Sequence, residues 1–266
     1  RVLFRSVCAT LPADSEVVAP NLFIGDDDVV ADRTLTVPAD AVVDVTGILH
    51  IAYKAADGTD KDSGTHTDAL VINGGEVRAE TLRTMYRGSN SNVGRANTEI
   101  TLNGGSLDVA GDAHFGYNRT RSGFSTTVTV NDGAMTVGGE MLLTRYSGTA
   151  QAPQGIVRMN GGSLEVAGVI DLSCSTNYNA GFALDGGVFL RGGILSAENI
   201  VQTVDYAPAQ RLVFDGGTYA PNANAADLTL SGLTTAHVST NGAVISTANL
   251  PAGATYTIAQ ALLTDP

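Results

Sequence analysis

The chain has 266 residues, 31 of them Gly and none Trp, and a formal net charge of −12. Charged residues make up only 16% and hydrophobic ones 43%, a balance too apolar for global disorder. The acidic excess opposes binding to nucleic acid or anionic membranes, and no apolar run is long enough for a transmembrane helix.

Residues 1–20 read as an irregular leader, with 1–6 resembling a stray end of a translated fragment. Residues 21–266 read as one repeat domain, less regular after 188, and as a piece of a longer protein. Cys8 and Cys174 are too few and too far apart for a disulfide framework; Cys174 lies on an apolar strand pattern and reads as a small buried hydrophobe.

Phe23-Ile24-Gly25 closes a first apolar side. Leu35 and Val37, Val43 and Val45, then Leu49 and Ile51 make a three-part coil. From Asn73 onward a signature recurs: Asn73-Gly74-Gly75, Asn103-Gly104-Gly105, Asn131-Asp132-Gly133, Asn160-Gly161-Gly162, Asp185-Gly186-Gly187, Asp215-Gly216-Gly217 and Asn241-Gly242. The steps between first residues are 30, 28, 29, 25, 30 and 26, a period that points to a stacked array. In the best-formed copy, Ile100 and Leu102 precede the corner, Leu107 and Val109 follow it, and Ala113 and Phe115 come after Ala110-Gly111. Each pair alternates with outward residues, the mark of a strand with one buried face. Asn-Gly also marks hairpins, but hairpins of ordinary strands would repeat it every ~10–16 residues. The expected fold is all-β: a right-handed parallel β-helix, or solenoid, of about eight three-stranded coils with ~28 residues each. A sandwich is the alternative, and Gly193–Glu198 could form at most one helical turn.

Ala113-His114-Phe115-Gly116-Tyr117-Asn118, the two Leu-x-Val-Ala-Gly runs at 107–111 and 164–168, and Thr127–Gly133 carry a resemblance. They resemble bacterial autotransporter-type passenger β-helices. More closely, they are similar to large secreted repeat proteins of Verrucomicrobia, Lentisphaerae and Planctomycetes, over roughly residues 66–260. The resemblance implies export, an extracellular or cell-surface location, and a role as stalk, adhesin or matrix part. Arg191 and Asn222-Ala223-Asn224 break the pattern.

Parallel β-helices also include polysaccharide lyases and hydrolases, which need clustered acids and a positioned Arg. Asp108, Asp112 and Glu165 are the candidate strand acids, with Asp108 expected on the solvent face. No nucleophile elbow, P-loop or dinucleotide fingerprint occurs, so no catalytic residue is assigned. Asp57, Asp60 and Asp62 lie in an oxygen-rich loop suited to Ca²⁺, the one candidate cofactor. Tyr86, Tyr117 and Tyr146 end third segments beside Arg87 and Arg119, a combination suited to glycans or protein partners. His50, His66, His114 and His237 fall on different coils without metal-ligand spacing, and His50 and His114 are expected to face outward. The expected function is a structural or adhesive rod, with neighbouring repeat domains or copies of itself as partners. The alternative is a polysaccharide-binding or polysaccharide-degrading β-helix.

Overall fold

The computed structural model describes residues 2–4, 8–25, 31–52, 66–85, 96–116, 125–144, 154–173, 186–203 and 210–264. They form a parallel β-solenoid with about seven turns of ~29 residues. Each complete turn contributes one strand to each of three sheets, and partial turns extend the stack at both ends.

The first sheet stacks Cys8–Thr10, Arg33–Pro38, His66–Asn73, 96–102, 125–130, Gln154–Met159, Gly187–Leu190, Arg211–Phe214, Thr235–Val238 and Leu263–Thr264. The second stacks 16–19, 42–45, 76–79, 106–109, 134–137, Ser163–Val166, Ile194–Ala197, Thr218–Tyr219 and Val244–Ile245. The third stacks Val2–Phe4, 21–24, 48–51, 81–84, Ala113–His114, Met141–Leu142, Ile170–Asp171 and Ile200–Val201. All these pairings are parallel, as coil-on-coil stacking requires and hairpins would not allow.

The alternation read from the sequence places one residue type over the next. Leu35, Leu70, Ile100, Val128, Val157, Val188 and Leu212 form one continuous, fully buried ladder. On the third sheet Leu22, Leu49, Leu82, Ala113, Met141, Ile170 and Ile200 form another. Each Leu, Ile, Val or Met of these ladders contributes about 1.5–3 kcal/mol of burial. The small Ala113 rung lies in the same coil as Phe115, itself fully buried.

Asn side chains bond along the corner between the first and second sheets. Asn103 Nδ2 donates to Asn73 Oδ1 (2.9 Å), Asn131 to Asn103 (2.8 Å) and Asn160 to Asn131 (2.8 Å). Asn241 donates to Asp215 further on (2.8 Å). Between the two runs the corner is Arg191-Gly192-Gly193, where Arg191 N and Gly192 N both reach Met159 O. Asp185-Gly186-Gly187 is therefore not a corner: Gly187 begins a first-sheet strand, paired to Ile156 and Arg211. The corner steps, corrected, are 30, 28, 29, 31, 24 and 26.

Two further expectations change. The stretch read as a leader contains Cys8–Thr10 and Glu16–Ile24, strands stacked on the next coil. Ile194–Ala197 is a strand in register with Ser163–Val166, not a helical turn, and the coils beyond it are less regular. After Val201 the third side leaves the main sheet and continues as a separate pair, Thr229–Leu230 with Thr257–Ile258. A 3-10 turn, Ala223–Ala225, precedes it.

Polar side chains join these last coils to the main stack. Tyr256 OH donates to Asn199 Oδ1 (2.7 Å), so Tyr219 OH donates to Tyr256 OH (3.1 Å). Burial pushes both phenols above their ordinary range, which keeps them protonated as donors. Asn199 Nδ2 also donates to Thr229 O (3.1 Å).

Candidate functional site

Outward residues of the second sheet form a row because each alternates with two core residues. The register sets Asp44, Arg78, Asp108, Thr136 and Glu165 on successive rungs. With Glu80 and Thr46 beside them, they line a shallow groove of about 530 Å³. Val45, Ala79, Val109 and Val137 of the same strands complete its lining, with Ala110, Gly138 and Ala167 just past them.

Two of the three sequence-predicted acids, Asp108 and Glu165, fall in this groove. Asp108 faces outward as expected, but it is only half-exposed and held in place. Thr136 Oγ1 donates to its Oδ1 (2.8 Å) and Ser106 Oγ to its Oδ2 (3.2 Å). Glu165 is exposed, two rungs away across Thr136. Asp112 is not in the groove. It sits past the next bend, where its Oδ1 accepts Glu140 N (3.0 Å) and its Oδ2 lies 3.6 Å from His114 Nε2. Asp112 therefore orders a bend.

The single cation of the groove, Arg78, was not singled out by the sequence. Its Nη2 lies 2.6 Å and its Nε 2.7 Å from Glu76 Oε1. The hydrogen bond and the charge of Glu76 raise the Arg78 pKa. Four carboxylates, Asp44, Glu80, Asp108 and Glu165, against the one guanidinium of Arg78 leave the lining net negative. The arrangement suits cationic groups and polar hydroxyl-bearing ligands. Neither aromatic ring nor histidine lines it.

A second polar cluster is buried. Asp68 is 1% exposed, with Arg33 Nη1 3.6 Å from Oδ1 and His66 Nε2 3.5 Å from Oδ2. A Cβ on Gly25, at φ +89°, would overlap the Asp68 carboxylate, so glycine leaves the room this charge occupies. Nothing in the local pattern announced it, because Arg33 and Asp68 pair only through register across a 35-residue step.

His50 and His114 are on the outward row of the third sheet, in register with Arg83 between them. They are nevertheless covered, each 5% exposed, and His50 stacks on Phe23 with ring centroids 4.8 Å apart. His237 lies on the first sheet and His66 in the Asp68 cluster. Among the described residues no group of three or more His, Cys, Asp or Glu is placed to hold a metal.

The calcium candidates Asp57, Asp60 and Asp62 lie outside the described residues, as do Tyr86, Arg87, Tyr117, Arg119 and Tyr146 of the candidate ligand surface. Cys174 does too, whereas Cys8 is free and exposed. No helix of the described residues is long and apolar enough to cross a membrane. Compared with protein-family models, curated proteins and solved structures, the chain shows no match.

Proposed function

We propose that this chain is a structural or adhesive rod segment of a secreted or cell-surface bacterial protein. One observation carries this reading: three parallel sheets share a single apolar core through coil after coil, leaving long, polar side surfaces. Its work is mechanical. Buried ladders and corner bonds hold the coils in register, while the sides meet partners. Such stacks leave strand edges at their ends, and neighbouring repeat domains or further copies are the partners that fit those edges. The secreted location follows from the sequence resemblance alone.

The second reading, a polysaccharide-binding or polysaccharide-degrading β-helix, draws on the groove that sets Arg78 among Asp44, Asp108 and Glu165. The rod reading is preferred because those groups are engaged with one another's neighbours. Arg78 is held by Glu76 and Asp108 by two hydroxyls. Glycan clefts also favour stacking aromatics, and this groove has none.

Incubation with a panel of neutral and uronate polysaccharides distinguishes the two. The rod reading predicts neither new reducing ends nor unsaturated uronate products. Release of either, abolished by Asp108→Asn, would establish the enzymatic reading instead.

A further inference from the structure

We infer that copies of this chain associate side by side, the first-sheet face of one docking on the second-sheet groove of the next. Charge is segregated between the later first-sheet strands and the second sheet, while the earlier first-sheet strands hold the exposed Glu99 and the buried Arg33–Asp68 pair. The described first-sheet strands from residue 125 onward contain Arg158 and Arg211 and no carboxylate. The second-sheet strands from 16 to 166 carry Glu16, Asp44, Glu76, Asp108 and Glu165 against Arg78 alone.

The first-sheet patch also has the composition of an interface centre. Arg158 and Phe189 are cross-strand partners, and Phe189 is followed on the next rung by the buried Val213. Arg211 lies over the Phe189 ring, with Cζ 5.6 Å from its centroid. The result is a half-exposed aromatic flanked by two guanidinium groups, the residue types most enriched where proteins meet.

The spacing along the stack matches as well, with Arg211 two residues before the register position of Arg158. Arg158 and Arg211 are on coils two rungs apart, as are Asp44 and Asp108, and Asp108 and Glu165. At ~4.8 Å per rung both sets repeat at ~9.6 Å along the stack. Overall the copies repel, each at −12. That repulsion is screened beyond ~8 Å at physiological salt, while contacts across the interface are not. The two faces lie on different sheets of one molecule, so the contact is heterologous and each added copy leaves a free face. This inference rests on the rod reading, which makes the sides the working surface, but it fails or stands separately.

Sedimentation velocity of the intact chain over a concentration series tests it. Wild type is expected to self-associate near physiological salt and to dissociate at about 1 M salt, where screening reaches ~3 Å. Arg158→Glu/Arg211→Glu should weaken association by about tenfold or more, and so should Glu80→Arg/Glu165→Arg. An equimolar mixture of the two variants should restore association, because each retains the face the other lacks and the two reversed faces are themselves opposite in charge. Arg158→Gln/Arg211→Gln replaces the reversal if circular dichroism shows it unfolded. The inference is overturned by a wild type that stays monomeric throughout, by variants that associate as wild type does, or by a mixture that does not associate. A monomer that instead binds polyuronate through Arg158 and Arg211 would also overturn it and assign the patch to an anionic glycan.

Discussion

Replacing Arg33 by Met is expected to destabilise the fold by about 3 kcal/mol, the cost of leaving a buried charge without its guanidinium and with only His66 beside it. Asp68 is 1% exposed and the Arg33 side chain 5%, so water cannot take over the carboxylate. Arg33 and Asp68 are cross-strand partners on the first sheet, so the lesion lies between two coils. The pair itself contributes little net stability, since desolvating both charges offsets most of their attraction. Arg33→Met/Asp68→Leu is therefore expected to recover most of the loss. Urea denaturation gives the two values, and hydrogen exchange localises them to Arg33–Pro38 and His66–Asn73. A single substitution costing under about 1 kcal/mol would show that the charge is solvated and the pairing wrong.

Gly105→Ala is the second large effect, at about 3 kcal/mol or more. Gly105 has φ +75°, and an added Cβ would overlap the carbonyl oxygen of Gly75 in the coil before. Two costs add: about 1–2 kcal/mol for a left-handed alanine, and the separation of two stacked coils. Gly242→Ala isolates the first. Gly242 has nearly the same φ, +81°, but nothing lies within 4 Å of its added Cβ. It should cost about 1–2 kcal/mol. Thermal melts of both variants decide the matter; equal losses would mean that backbone conformation alone, and not coil contact, makes the corner glycine.

Much of this architecture was legible because the apolar ladders are periodic. Ile100, Leu102, Leu107 and Val109 were read from alternation and are all buried. The corner signature failed at one coil because Asn-Gly-Gly is a preference and not a requirement. Arg191-Gly192-Gly193 turns the same corner with Arg in the first place, as its two bonds to Met159 O show. Asp185-Gly186-Gly187 copied the composition, yet Gly187 serves a strand start that passes close to Arg211. Cys8–Thr10 was too short to announce itself and is a strand only because Thr34–Thr36 lies beside it.

The candidate site was less legible than the fold. Alternation along one strand placed Asp108 and Glu165 outward. That Asp44, Arg78 and Glu80 join them depends on register between coils. The coils differ in length, from the 35-residue step between Leu35 and Leu70 to the 24-residue step between Val188 and Leu212. Periodicity supplies the average of such steps, and only strand pairing supplies each one. His50 illustrates the same limit: its outward direction followed from alternation, while its covering by Phe23 is a contact between coils.

The parallel three-sided stack underlies every inference above, and spin-label distances test it most directly. Thr36 and Arg158 are four rungs apart on the first sheet, and Thr36 and His237 seven. At ~4.8 Å per rung, pulsed electron resonance on labels at these positions, with Cys8 and Cys174 replaced by Ser, should give backbone separations near 19 Å and 34 Å. A linear increase with rung number is the predicted result; separations that fail to grow from Arg158 to His237 would contradict the stack.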